Sequence, residues 1–459
     1  MNTLFLPELH EMLQTNDLAG LGEFCTALHP ASTAEYMEGL DAQESWAVLQ
    51  ATDLSNRAAI FGFLDKDKQV QILESGDPQE LSELITEMPP DDRVDLLNRL
   101  TPEIVTAMLT LVPTADRRDI MRLRQHPEGT AGAVMTTEVA TLPENLTVAE
   151  ALREIGRLAK DLETIYYIYI VDDENHLRGL VSARQLVTRL GKPDTKLADF
   201  MERDLVTVEV ADDQENVAGK VANFDFLAIP VVDHEQHLLG IITHDDVIDV
   251  LREEAEEDAY RAAAVTPLQD TYLQTSFLQL AWKRGIWLII LFAASLLTTF
   301  ALRSYEPAIE KVTWLVFFIP LVMSSGGNTG GQSATLIIRA LANNDITLTD
   351  ARRVILRELQ TGLALGSMLA VLAFIVGLLI VEGPTPHELL VIPMALLVVV
   401  IYGTLLGAAL PLVFRRLGLD EALMSTPFVT VLVDIGGIVI YMSVAMKMIA
   451  ELSGSALSP

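Results

Sequence analysis

The chemistry this chain can do is carboxylate chemistry, and its most informative carboxylate is Asp434. It stands alone near the middle of an apolar run from Met424 to Met446, with no basic residue until Lys447. The run is about the roughly 20 residues that cross a bilayer. An ionisable group there costs roughly 2.5–3.5 kcal/mol on insertion scales, so it usually faces a polar interior and marks a transport path. The alternative is a protonated or structural Asp bonded to a neighbouring helix. A second polar feature lies in another apolar stretch, Gly326-Gly327-Asn328-Thr329-Gly330-Gly331-Gln332. Its four glycines would break a lone helix, or would let another backbone approach closely. Asn328 and Gln332 share a helix face at i, i+4. With Pro320 upstream, irregular backbone could expose carbonyls to a water-filled path. No Gly-Lys-Ser/Thr ends the stretch, so it is not a phosphate loop.

Two groups of acids stand outside the apolar runs. Asp91 and Asp95 share a helix face at i, i+4, where they could hold a cation, although helix capping also explains Asp91, Asp92 and Asp95. Asp246, Asp249 and Glu253 form a stripe at helical spacing within the acid-rich Asp245–Asp258 segment, which a solvated helix would also explain. Facing acidic surfaces repel unless cations bridge them. Thiolate and imidazole ligands are missing from the apolar runs; His387 lies in a connection. That donor set suits a hydrated divalent cation, Mg2+ with Mn2+, Co2+ or Ca2+ as alternatives, over Zn2+ or copper. The single Cys25 excludes an internal disulfide and fits a reducing compartment. Walker motifs are absent, which argues against an ATP-driven pump.

The elements that must position these residues divide by charge. Residues 1–280 hold 52 of the 63 acids and 21 of the 32 bases, so the whole net charge of −31 lies there. An acidic surface of this kind argues against nucleic-acid binding. No basic region followed by an apolar core opens the chain, so no cleavable signal peptide is expected. Five apolar segments follow, at about Gly285–Leu302, Val312–Leu341, Val354–Val381, Leu389–Phe414 and Ser425–Ile449. Basic residues cluster in alternate connections, which places the N-terminal region in the cytoplasm and the C-terminus outside. Five spans leave no room for an inverted repeat, so a pore would lie more simply on the axis of a homodimer.

Upstream, residues 1–125 read as short amphipathic helices started by prolines and acids, such as Pro30, Pro90 and Pro102, and stacked as an α-superhelix. Residues 131–253 repeat with a period of about 61. Tyr169-Ile-Val-Asp172 leading to Gly179-Leu-Val-Ser182 returns as Pro230-Val-Val-Asp233 leading to Gly240-Ile-Ile-Thr243. Each unit alternates strand, acidic turn, strand and helix, which predicts two α/β modules. The units resemble CBS domains, which pair and often bind adenine nucleotides through Ser/Thr-x-x-Asp. The second unit keeps that signature as Thr243-His-Asp-Asp246, while the first reads Ser182-Ala-Arg-Gln185.

The glycine-rich run Gly326–Ala340, Asp434 in the last apolar segment, and this domain order resemble the MgtE family of bacterial magnesium channels or transporters, relatives of a group of vertebrate solute carriers. The resemblance implies a multidomain chain: a helical N domain (1–128), tandem CBS domains (129–253), an acidic connecting helix (245–280) and a five-helix transmembrane domain (281–459). It further implies a homodimer in the bacterial inner membrane with one central pore, lined by the second and fifth spans, and no enzymatic activity. By the same resemblance Asp434 is the pore carboxylate and Asp420 a cytoplasmic-side ligand, with Gly326, Gly327, Asn328, Gly330 and Gln332 in the lining. The regulatory Mg2+ ligands fall on Asp91, Asp95, Asp213, Glu215, Asp225, Asp246, Asp249, Glu254, Glu257 and Asp258. Tyr167, Arg184 and Phe226 match nucleotide contacts for ATP, although Tyr167 and Phe226 could equally pack the module core. Gly331 and Thr426 depart from the family, which often carries polar amides or Ser there. Cytoplasmic Mg2+ bridging the acidic domains would hold the pore closed, and its loss would open it. The competing expectation is a cation exchanger coupled to Na+ or H+ and regulated by nucleotide.

Overall fold

The computed structural model describes residues 4–449 apart from 160–161, 269–271, 273–274, 343–344, 381–384 and 420–425. The chain forms two compact units, Met1–Glu253 and Glu254–Pro459.

The first unit opens with ten short helices: α1 (Leu6–Thr15), α2 (Leu18–Ala27), α3 (Pro30–Tyr36), α4 (Ala42–Gln50), α5 (Leu54–Gly62), α6 (Lys66–Ser75), α7 (Pro78–Glu87), α8 (Pro90–Asn98), α9 (Pro102–Leu111) and α10 (Thr114–Leu123). Their starts follow from local chemistry. Asp53, Asp65 and Asp77 each accept a backbone N–H of the first turn, and Asp41 and Glu44 form a reciprocal capping box. Helices two apart in sequence pack together, α3 on α5 on α7 on α9 and α4 on α6 on α8 on α10, giving two rows. A recurring arginine joins consecutive helices. Arg57, Arg93 and Arg117 each donate to carbonyls seven and five residues back, at the end of the preceding helix. These carbonyls have no partner within their own helix, so the arginine satisfies what helix geometry leaves open.

Two modules of the same topology follow. The first contains β1 (Thr141–Pro143), α11 (Val148–Leu158), β2 (Tyr167–Val171), β3 (Leu177–Ser182) and α12 (Ala183–Thr188). The second contains β4 (Val208–Glu209), α13 (Gln214–Phe224), β5 (Ala228–Val232), β6 (Leu238–Thr243) and α14 (His244–Ala262). In each, the outer strand pairs parallel and the hairpin antiparallel, with the register shifting at the equivalent residues Ile170/Val171 and Val231/Val232. The repeated glycines have a shared cause. A Cβ on Gly179 would lie 2.8 Å from the Glu202 carbonyl, and one on Gly240 2.6 Å from that of Thr136. Each glycine lets a flanking segment bond to the hairpin, through Leu180 and Ile241 respectively. A continuous core runs from Leu9 through the helices to Ile229, Val247 and Val250, so the helical region and the second module share one interior. The first module has its own core around Leu142, Ile155 and Val181.

The second unit contains α15 (Phe277–Ser304), α16 (Glu306–Lys311), α17 (Leu315–Ala342), α18 (Ala351–Ile380), α19 (Pro386–Leu389), α20 (Val391–Arg416) and α21 (Thr426–Met448). α20 packs against α17, α18 and α21, and α15 against α21. Among the described residues, four helices are long and apolar enough to cross a membrane: α15, α18, α20 and α21. The fifth long helix, α17, has 28 residues but a glycine- and hydroxyl-rich middle.

Two expectations change. The acidic helix does not run to residue 280. It ends at Ala262, where Ala264 turns left-handed at φ 57° and Pro267 follows, and α15 begins at Phe277 behind a Ser276/Gln279 capping box. The glycine run also does not break its helix. α17 is continuous through Pro320 and all four glycines, because tertiary packing makes up for their weak helix propensity.

Candidate cation sites

In the first unit, α8 presents Asp91, Asp92 and Asp95 because Pro90 starts that helix and sets the acids in its first two turns. Asp246 sits in the first turn of α14, where Thr243 Oγ1 and the Thr243 N–H both donate to its carboxylate. The residue that completes the nucleotide signature of the second module therefore also faces α8. Glu163, ahead of β2, joins them.

Burial raises the Asp91 carboxyl well above the usual range, and Asp246, Asp92 and Glu163 add to it. Asp91 Oδ1 is buried without a hydrogen-bond partner. Burial likewise lifts Glu163 to about 7, with Asp246, Glu138 and Asp245 contributing. Asp246 rises to about 6 by burial, against the hydrogen bond from Thr243. Asp95 reaches solvent at the rim, yet the protein around it raises its carboxyl to about 6 against the pull of Lys66, with Asp92 and Glu253 adding to the rise. The nearby Lys66 lies 3.6 Å from Asp92. Several carboxylates held together at the expense of their charge favour either protons or a cation.

Other expected ligands are placed apart from this cluster. Asp213 caps the N-terminus of α13, accepting from the N–H groups of Glu215 and Asn216 at 3.0 and 3.2 Å. Asp225 ends the same helix in a left-handed conformation. The two ends of α13 are ~16 Å apart at 1.5 Å per residue, so Asp213 and Glu215 do not meet Asp225 within one chain. Asp249 is exposed, 3.8 Å from Arg252. Glu254, Glu257 and Asp258 continue α14 into the second unit, where Glu257 pairs with Arg261. Tyr167 lies half-buried on β2, Arg184 is exposed on α12, and Phe226 stacks on Phe224 at 5.5 Å. Gln185 closes a capping box with Ser182 and donates to Glu202 at 3.0 Å. Asp420 lies outside the described residues.

Sequence reading passed over the twin acidic turns as chemistry. Asp233 accepts from His237 Nδ1 at 2.8 Å, Asp172 meets His176 in the same way, and the two imidazoles stack at 4.3 Å. Asp233, Glu235 and His237 place ligand atoms within 4.8 Å of one another. Both aspartates also accept backbone N–H groups of their own turns. The backbones join there as well, through Leu177 N–H to Gln236 and Leu238 N–H to Asn175. The turns therefore fasten one module to the other.

In the second unit, the glycines of α17 divide their work between two faces. Gly326 and Gly330 receive α20, where a Cβ on Gly403 would lie 2.5 Å from the Gly326 carbonyl. Gly327 and Gly331 receive α21. A Cβ at Gly327 would lie 2.8 Å from Thr430 Cγ2, and one at Gly331 2.5 Å from Thr426 Cγ2. These contacts run antiparallel, so one further turn brings Asp434 level with Met323 and Ser324. Thr426, Thr430 and Asp434 recur every four residues and share a face of α21. Beside them α17 exposes Ser324, Asn328, Gln332 and Thr335. Asn328 donates to Ser324 at 3.4 Å, and the Thr335 and Thr426 hydroxyls are 3.5 Å apart. Asp434 itself is half-buried. Tyr402 on α20 holds its backbone, donating to the Leu432 carbonyl at 3.3 Å while its ring fills the space over Gly436.

A second membrane carboxylate escaped sequence reading. Glu358, buried on α18, accepts from Ser333 of α17 at 2.6 Å. It falls within the third apolar segment beside Arg357, where residue type alone does not show its contact with α17.

A helical N-terminal region and paired α/β modules followed by a bundle of long apolar helices, with a carboxylate inside the bundle, define a multi-pass membrane cation transporter. Comparison with known proteins specifies it further. The divalent cation transporter profile of MgtE matches residues 319–444, the MgtE intracellular N domain matches 28–129, and CBS domains match 131–192 and 197–253. The chain is 44% identical over 325 residues to the magnesium transporter MgtE of Thermus thermophilus, covering 70% of this chain and 71% of that one. It is 38% identical to that of Enterococcus faecalis over 329 residues, covering 71% and 70%. A solved soluble part of a magnesium transporter covers 54% of this chain and 97% of its own length, at 35% identity and a TM-score of 0.51. The cytosolic domain of the Mg2+ channel MgtE in complex with ATP covers 53% and 98%, at 35% identity and a TM-score of 0.50. The chain belongs to the MgtE family of divalent cation transporters, and is a transporter and not an enzyme.

Proposed function

We propose that this protein imports Mg2+ through a pore on the axis of a homodimer in the bacterial inner membrane, and that cytoplasmic Mg2+ closes it. The observation that carries this reading is that Thr426 and Thr430, on the face of α21 that also bears Asp434, pack against glycines of α17, whose exposed side carries Ser324, Asn328 and Gln332. A polar stripe with a carboxylate on the open side of a membrane bundle calls for a second polar surface, which a partner copy supplies. Paired carboxylates and amides can hydrogen-bond the water shell that Mg2+ is reluctant to lose. Five membrane crossings, with α17 as the second, put the N-terminal unit in the cytoplasm and the C-terminus outside. By the family resemblance Asp420, outside the described residues, is a cytoplasmic-side metal ligand.

Closure uses the raised carboxylates. Mg2+ bound by Asp91, Asp95 and Asp246 relieves their mutual repulsion and favours the compact arrangement, and only that preference lets the ion shift the gate. Asp249, Glu254, Glu257 and Asp258 extend the acidic surface along α14. Asp213, Glu215 and Asp225 come into play where two copies meet. The two rows of helices fit an α-superhelix that carries Asp91 and Asp95. ATP binding by Tyr167, Arg184 and Phe226 is supported by the ATP complex of a relative's cytosolic domain.

The deciding experiment is Mg2+ uptake by Asp434→Asn in a strain lacking other importers, with Mn2+, Co2+ and Ca2+ as competitors. Uptake should fall at least tenfold; unchanged uptake would leave a membrane-anchored sensor instead. Single-channel recording separates the channel from an exchanger, since discrete conductance steps are beyond a slow carrier.

A further inference from the structure

The start of α18 gathers Arg352, Arg353 and Arg357 around an open cavity of about 710 Å3, with Asp350, Leu356 and Gln360 also in its wall. Asp350 is the one carboxylate in that wall, and it is already engaged. It accepts from the Thr347 N–H and hydroxyl at 3.1 and 3.0 Å, and lies 3.8 Å from Arg353. Arg352 and Arg357 have no acidic partner among the described residues. The cavity therefore carries two positive charges in excess. From its rim the exposed face of α18 turns apolar, through Leu356, Leu363 and Val371 at helical spacing, each at least half exposed.

Cation at one end and hydrocarbon along the helix is the pattern an amphipathic anion would match, while a small soluble anion would use only the cavity. We propose that this cavity binds the phosphodiester headgroup of an anionic phospholipid, with an acyl chain lying along Leu356, Leu363 and Val371. Guanidinium groups pair with phosphate oxygens in a fixed two-point geometry, so several around one cavity select phosphate over a zwitterion's balanced charge. Basic pockets at the ends of membrane helices recognise lipid headgroups by this chemistry, at roughly fivefold in affinity per arginine. The inference is independent of the transported ion and of the gate.

The test is native mass spectrometry of the full-length protein in detergent, titrated with phosphatidylglycerol, phosphatidylethanolamine or inorganic phosphate. Phosphatidylglycerol should bind at least tenfold better than phosphatidylethanolamine, and R352Q/R353Q/R357Q should abolish that preference. R303Q/K311Q, which removes charge elsewhere, should retain it. R357Q alone, expected to lose roughly fivefold, serves if the triple variant does not fold. Equal binding of the two lipids, or an unchanged preference in the arginine variants, overturns the proposal. Displacement of the lipid by millimolar inorganic phosphate also overturns it, in favour of a soluble phosphate site.

Discussion

Gly331 on α17 faces Thr426 on α21 so closely that a Cβ on the glycine would lie 2.5 Å from the threonine methyl. The two residues meet across the α17–α21 contact, one without a side chain and the other with a branched one. The absence of a side chain on Gly331 leaves the room that the Thr426 methyl fills, so the two positions are complementary in volume.

Gly331→Ala should therefore push α21 outward, at the 1–3 kcal/mol typical of an overpacked site, about. We expect at least a fivefold loss of Mg2+ uptake, with Thr426→Ser restoring much of it in the double variant. Independent losses in the two single variants that simply add would show that the helices do not meet this way. Gly285→Ala, with nothing within 4 Å of the added Cβ, should be neutral.

The acidic cluster predicts a pH dependence of defined sign. Burial and like charges raise Glu163 to about 7, and Asp95 and Asp246 to about 6, all above their unfolded values. Between the unfolded and folded pKa the folded N-terminal unit holds more protons than its unfolded chain. Its advantage is full below about pH 4 and is lost as pH rises through 6 to 7. Without divalent ions, cleavage within residues 125–280 by an added protease should be faster at pH 8 than at pH 5.5. Mg2+ should slow it at pH 8 and matter much less at pH 5.5. Cleavage indifferent to Mg2+ at pH 8 would remove the basis for cation-dependent closure.

Asp91→Asn takes one charge out of this crowd. The variant should gain a few degrees of thermal stability in the absence of divalent ions, and its stabilisation by Mg2+ should shrink. A lower melting temperature in EDTA would mean that the Asp91 charge is favourable where it stands.

Arg93→Ala removes the donor that satisfies the carbonyls of Thr86 and Met88. With the Met88 acceptor buried and that of Thr86 partly so, a loss of about 2–3 kcal/mol is expected, read by urea unfolding of the N-terminal unit. The more exposed Arg117 should cost less, and Arg93→Lys should not rescue, since an ammonium lacks the planar fork.

Glu358→Gln keeps the shape of the Ser333 contact and removes the charge. If the group only braces α17 against α18, stability and uptake should change less than twofold, whereas Glu358→Ala should lose both. A Gln variant with normal stability but uptake reduced tenfold would instead make Glu358 part of the ion path.

Much of this molecule was legible from residue type and spacing. Pro90 and the aspartate caps mark helix starts because the orphan N–H groups there need acceptors or a residue without a donor. The hairpin glycines Gly179 and Gly240 repeat because a backbone crosses each of them. The end of the acidic helix was not legible, since Ala264 carries no turn signal of its own and takes a left-handed conformation. Glu163 and Glu138 were missed because they lie far in sequence from Asp91. Glu358 was missed because residue type alone does not show its contact with Ser333.

Sequence alone determined that a carboxylate sits in an apolar span, that all the excess charge lies upstream, and that glycines line one helix, because composition and periodicity are local properties. Only the tertiary structure decided what the glycines do. They leave α17 intact and let α20 and α21 approach it, which sets Thr430 and Thr426 of α21 against Gly327 and Gly331. Whether a glycine bends a helix or seats its neighbour depends on the atoms that come to occupy the space where its side chain would be.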